Sequence, residues 1–240
     1  MGKIFFFLLL SMTLFAAEGL LIPFYHYPLL ENDKEIDKLL TYKRKYPQIE
    51  FFVIVNPANG DFRSEQYNFA SMIDRLHEAN ITILGYVYTK YAARNPEDVK
   101  KRIDAWEKFY KKWGVEGIFF DEVNSSNKAF VYYRDLCTYA RKKFPLIVLN
   151  PGTTIARQYE KIADIIVVHE SNVLPMEKDD INKSALLLYD IQEFNITQPL
   201  LQRFRYIYIT DHNGSNPWER LSLHMDKLLQ VLEEKKRLFQ

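Results

Sequence analysis

The sequence has no partner to offer its one cysteine. Cys137 stands alone in 240 residues, so no disulfide can form within the chain and stability has to come from a packed core. It lies in FVYYRDLCTYARKKF at helical spacing from Phe130, Tyr133 and Ala140, a pattern of packing rather than of a nucleophile. Glycine is scarce too: there are 8, and no glycine-rich phosphate loop follows the first apolar run. An open doubly wound sheet that binds nucleotides needs such a loop, which argues against that fold. Neither HxH nor HExxH spacing occurs, so His26, His169, Asp211 and His212 make a weak metal set, and the expectation is a protein with no metal and no other cofactor. Charge of one sign is also missing. The net is +1, from 32 basic and 31 acidic side chains without a long like-charged run, whereas nucleic acid and anionic membranes call for a basic patch. A neutral polymer is the better-matched partner, and no nucleic acid is expected.

No apolar run reaches the roughly 20 residues of a membrane-spanning helix. The nearest is Ile4 to Phe15, preceded by Lys3 and followed by Ala16, Ala17 and Gly19, which fits the apolar region of a secretory signal. A small-x-small pattern through Ala17 places cleavage after Gly19. The expectation is a leader over residues 1–19 and a mature monomeric domain over 20–240, secreted, periplasmic or on the cell surface, with a retained N-terminal anchor as the alternative. Five Asn-x-Ser/Thr sites occur, at Asn80, Asn124, Asn182, Asn195 and Asn213. Two of them follow strand ends, where glycans would crowd a site, so they are weak evidence of glycosylation.

What is present is a core: 48% hydrophobic residues and 15% aromatic ones. Eight short apolar runs recur, beginning at Leu20, Glu50, Ile81, Val115, Leu146, Asp164, Ser184 and Arg205, each followed by a polar turn and most by an amphipathic stretch. Strand alternating with helix predicts a parallel sheet, and eight units in one chain predict a closed (β/α)8 barrel of the TIM type. Asn95–Pro96 and Asn216–Pro217 each read as an Asn cap with Pro at the first helical position, so helices are expected from Pro96 and Pro217. The stretches after Asn150 and Glu170 are the weakest helical candidates. Trp106 and Trp113, seven apart, read as core packing, and His77 and His224 as surface or satisfied histidines.

A barrel of this type builds its active site at the C-terminal ends of its strands. Those ends carry Tyr25, His26 and Tyr27; Asn56; Tyr88; Asp121 and Glu122; Asn150; His169 and Glu170; Tyr189; and Asp211. A single acid at a strand end is usually a solvated or capping residue. Asp121, Glu122 and Glu170 at one mouth, among tyrosines and amides, are the materials of general acid, base and nucleophile, and glycoside hydrolysis uses two carboxyls without a cofactor. The catalytic candidates are therefore Asp121, Glu122 and Glu170. Tyr25, Tyr27, Tyr88, Tyr189 and Trp218 would offer ring faces to sugars, and Asn56 and Asn150 would bond their hydroxyl or acetamido groups. His26, His169 and Asp211 complete the substrate-binding set.

IPFYHYP at the first strand, VNPANGDF at the second, LGYVYTKYAAR at the third, GVEGIFFDE at the fourth and VVHES at the sixth together resemble the spherulin 4 family, spherulation-specific family 4, which corresponds to glycoside hydrolase family 135. The resemblance runs from about Leu20 to the last helix. It implies a secreted (β/α)8 hydrolase acting inside α-1,4-linked N-acetylgalactosamine or galactosamine polymers. It also implies that an Asp-Glu pair at the fourth strand and a Glu near the sixth do the chemistry, here Asp121, Glu122 and Glu170. Two further expectations stand beside it: a catalytically silent carbohydrate-binding or surface protein, and a different carboxylate glycosidase such as a barrel lysozyme.

Overall fold

The computed structural model describes residues 18–176, 181–195, 200 and 203–238. Its strands are β1 (Gly19–Phe24), β2 (Glu50–Val55), β3 (Thr82–Tyr88), β4 (Val115–Asp121), β5 (Leu146–Leu149), β6 (Ile165–Ser171), β7 (Ser184–Leu188) and β8 (Tyr206–Ile209). All eight pair in parallel in chain order, and β8 closes on β1 through Gly19–Tyr206 and Leu20–Ile207. The result is a (β/α)8 TIM barrel, as the eight apolar runs predict. These runs are apolar throughout rather than alternating because the barrel interior covers one face of each strand and the outer layer covers the other.

The α-helices among the described residues are α1 (Lys34–Lys45), α2 (Tyr67–Glu78), α3 (Pro96–Tyr110), α4 (Phe130–Arg141) and α5 (Met225–Leu238). Local signals explain the starts of two of them. The Asp33 carboxylate accepts the N–H groups of Glu35 and Ile36 to open α1, and Asn95 Oδ1 accepts the Glu97 N–H at 2.9 Å behind Pro96 to open α3. After β5 the chain makes only a 3-10 turn, Arg157–Lys161, pinned by the buried Tyr159, whose hydroxyl donates to the Ser126 carbonyl at 2.9 Å. Trp106 is buried against β3 and donates its indole N–H to the Tyr86 carbonyl at 3.0 Å, while Trp113 is only partly covered. Cys137 is buried in α4, and removal from water pushes its thiol up to about 12, as suits a packing residue.

The expected helix from Pro217 does not form there. Asn216 Oδ1 accepts the Trp218 N–H at 3.3 Å, but Trp218 is buried and its carbonyl accepts the Tyr25 N–H, so the chain is tied to β1 instead of winding on. Asp211 Oδ1 then accepts the Leu223 N–H at 2.8 Å and Ser222 Oγ accepts the His224 N–H at 2.9 Å, which delays the helix to Met225. Of the expected leader, residues 1–17 lie outside the described residues. Glu18 and Gly19 lie inside them: Gly19 opens β1 opposite Glu50, and Glu18 Oε2 accepts from Arg205 Nε at 2.6 Å. A cut after Gly19 would therefore remove two residues that the barrel uses.

Candidate active site

The ends of β3, β4, β5, β6 and β7 hold one open pocket of about 360 Å³, lined by Tyr91, Asp121, Glu122, Asn150, Pro151, Gly152, Glu170 and Tyr189. Asn150, just past β5, is its hub. Its Nδ2 donates to Asp121 Oδ1 at 2.8 Å and to Glu170 Oε2 at 2.6 Å, while its Oδ1 accepts the Gly152 N–H at 3.0 Å. Gly152 sits at φ 64°, a conformation that glycine adopts without a Cβ penalty, and its carbonyl accepts the Glu170 N–H at 3.1 Å. The two hydrogen bonds of Asn150 cap the distance between these carboxylate oxygens at about 5.4 Å.

Two of the three acids are placed by departures from regular strand. Asp121 ends β4, with Asn150 Nδ2 on one oxygen and the Tyr86 hydroxyl donating to the other at 2.8 Å. Glu122 follows at φ 52°, strained for a residue with a Cβ. The Tyr91 N–H and Thr89 Oγ1 hold its carbonyl at 2.7 and 2.9 Å. On β6 the register shifts between Val167 and His169, and beyond this bulge Glu170 reaches Asn150.

The electrostatics separate the carboxyls. Removal from water raises Asp121, while the Tyr86 hydroxyl, the Glu122 N–H and Asn150 pull it back. Glu170 is raised to about 7, first by burial and then by the charge of Asp121, with only Asn150 opposing. Glu122 is raised by burial and by Asp121, and Lys90 opposes. Of the pair Asp121 and Glu170, Asp121 ionises first, because it carries the larger set of donors, and its charge then holds the proton on Glu170 up to about 7.

Of the sequence-predicted residues, the pocket brings together Asp121, Glu122, Asn150, Glu170 and Tyr189. Tyr25 stands beside it, edge-on to Tyr86 at 5.5 Å, with its hydroxyl raised well above the ordinary range by burial and then by Asp121. Asn56 keeps a buried Oδ1 without a hydrogen-bond partner among the described residues. Six others are engaged elsewhere. His26 bonds Asp33, the cap of α1, at 2.7 Å. Tyr27 is 65% exposed and leans edge-on against Phe69 of α2. Tyr88 lies under the Arg94 guanidinium, 4.2 Å from its ring centre. His169 Nε2 is 2.7 Å from the Val173 carbonyl, and Asp211 caps the turn before α5. Trp218 packs edge-on behind Tyr189 with ring centres 6.0 Å apart. His212 Nε2 lies 3.2 Å from the Leu221 carbonyl, so the three histidines of the weak metal set have separate partners. Among the described residues no group of three His, Cys, Asp or Glu side chains is arranged to hold a metal ion.

Sequence reasoning missed Tyr86 and Tyr91. Tyr86 sits two residues below the end of β3, on the same face as Tyr88, and this periodicity could have found it. Tyr91 follows the strand in a turn with no glycine or asparagine to announce it.

The chain is 30% identical over 154 residues to Spherulin-4 of Physarum polycephalum, a match spanning 63% of this chain and 44% of that protein's length. Among solved structures, Aspergillus clavatus Sph3 in complex with GalNAc superposes with a TM-score of 0.78 at 21% identity, covering 91% of this chain and 98% of that one. A GH18 chitinase from Pseudoalteromonas aurantia superposes at 0.52 with 12% identity, covering 90% and 99%, a likeness of fold. The sequence profile of spherulation-specific family 4 matches residues 19–232, nearly the whole barrel with its acids and their amide bridge, and the chain belongs to that family.

Proposed function

We propose that this protein is a secreted, endo-acting glycoside hydrolase that cleaves α-1,4-linked N-acetylgalactosamine or galactosamine polymers. The observation that carries the reading is the pair Asp121 and Glu170 on the two N–H groups of Asn150, with oxygens no more than about 5.4 Å apart. Retaining glycosidases hold their two carboxyls about 5 to 5.5 Å apart, whereas inverting enzymes leave about 6.5 to 9.5 Å for a water. In the first step Glu170 gives its proton to the glycosidic oxygen as that oxygen leaves the anomeric carbon, and Asp121 attacks the carbon to form a glycosyl ester. In the second step Glu170, now ionised, takes a proton from water, and the water displaces Asp121, so the anomeric configuration is kept. Glu122 is assigned to positioning substrate and tuning its neighbours. The amino-sugar specificity is supported by the family and by the GalNAc found with a protein of the same fold.

The test is mass spectrometry of products after the protein and its Asp121→Asn and Glu170→Gln variants are incubated with partly and fully N-acetylated α-1,4-galactosamine polymer. Oligosaccharides from the wild type and none from the variants are expected. Polymer binding without cleavage would instead indicate a carbohydrate-binding protein, and cleavage of peptidoglycan alone a lysozyme-like enzyme.

A further inference from the structure

The pocket crosses the barrel mouth. Tyr91 belongs to the turn after β3 and Tyr189 follows β7, and both line it together with the acids. In a closed ring of eight strands in sequence order, β3 and β7 stand diametrically opposite. The acids at β4 and β6 and the amide at β5 fill the arc between them, so an aromatic ring stands at each end of a row of reacting groups.

Tyr91 is there at a cost. Lys90, Tyr91 and Ala92 have φ of 51°, 52° and 68°, three consecutive left-handed residues without a glycine. Each carries a Cβ that the left-handed conformation crowds against the backbone. The turn is held in place: the Tyr91 N–H donates to the Glu122 carbonyl at 2.7 Å, Asn124 Nδ2 donates to the Tyr91 carbonyl at 3.1 Å, and the Ala93 N–H donates to the Lys90 carbonyl at 2.8 Å. The side chain it presents does little for folding, since Tyr91 is 60% exposed and is absent from the hydrophobic core. It lines the same pocket as Asp121, Glu122 and Glu170, and its hydroxyl is raised by burial and then by the charges of those acids. Tyr189 is supported from behind by the buried Trp218. Rigid aromatic rings of this kind offer an apolar face to the C–H face of a pyranose at small entropic cost.

We propose that Tyr91 and Tyr189 are the sugar-stacking walls of two subsites on opposite sides of the carboxylates, so that a polysaccharide lies along the β3–β7 diameter and is cut in its interior. The proposal rests on the glycosidase reading and adds to it the path of the polymer and a contact residue, Tyr91.

The test compares wild type, Tyr91→Phe, Tyr91→Ala, Tyr189→Ala and the double alanine variant for kcat and KM on the α-1,4-galactosamine polymer, product lengths and thermal midpoint. Tyr91→Ala is expected to raise KM about tenfold, as for loss of one ring-sized apolar contact, with little change in kcat. Product lengths should shift and the thermal midpoint should hold. Tyr91→Phe should match wild type, and the double variant should lose about a hundredfold because the two sites are distant enough to act independently. Wild-type KM and product lengths in Tyr91→Ala would overturn the proposal, as would an equal loss in Tyr91→Phe, which would assign the effect to the hydroxyl. A wild type that neither cuts nor binds the polymer would remove the glycosidase reading itself, a result separable from failure at Tyr91 alone.

Discussion

Replacing Glu170 by glutamine fixes the uncharged state at a site where two carboxyls share a single amide nitrogen, and keeps an oxygen that can still accept from Asn150 Nδ2. The folded protein holds Glu170 near 7 against an ordinary 4.5. Between those values the folded state keeps a proton that the unfolded chain has released, so the wild type loses stability as pH rises from about 4.5 to about 7. A shift of that size corresponds to about 3 kcal/mol, and solvent reaching the open pocket screens part of it, leaving about 2 kcal/mol. Glu170→Gln does not pay this penalty. It should exceed the wild type by about 2 kcal/mol at pH 8 and match it within a few tenths at pH 4. In urea, with a slope near 3 kcal/mol/M for a domain of this size, the pH 8 midpoints should differ by roughly 0.7 M with unchanged slopes. Equal midpoints at pH 8, or a less stable variant there, would refute the assignment of Glu170 as the carboxyl held protonated.

The same assignment fixes the pH profile: kcat/KM should fall as pH rises through about 7, when Glu170 loses the proton it must donate, and fall again in acid as Asp121 is neutralised. Tyr86→Phe removes a donor from the ionised form of Asp121, so the acid limb should move upward by about one pH unit while the upper limb stays in place. Gly85→Ala would drive a Cβ into the ring of the buried Trp106, and urea unfolding should report a loss of about 3 kcal/mol.

The sequence carries the barrel in its eight apolar runs, because a strand buried on both faces has to be apolar along its length. It carries the three acids because they stand where those runs end. The start of α5 is not legible, since Asn216–Pro217 is a sound local signal overruled by distant contacts, namely Trp218 buried beneath Tyr189 and Asp211 holding the Leu223 N–H. His26 and Asp211 stand at strand ends like the acids. Their side chains are engaged by Asp33 and the 222–223 turn, which come from loops whose paths the pattern does not encode. Tyr91 is hidden for the opposite reason: its left-handed turn is built from Lys, Tyr and Ala, residues that normally avoid this conformation.

The central claim, that Asp121 and Glu170 work as a closely spaced pair on a glycosidic bond, is tested most directly by proton NMR of the anomeric signals in the first minutes after the protein is added to α-1,4-linked N-acetylgalactosamine polymer. The account predicts that α-anomeric reducing ends appear first and only later equilibrate with β, and that Asp121→Asn produces neither. New ends appearing first as β would contradict the pairing, and undiminished release by Asp121→Asn would contradict the role of Asp121.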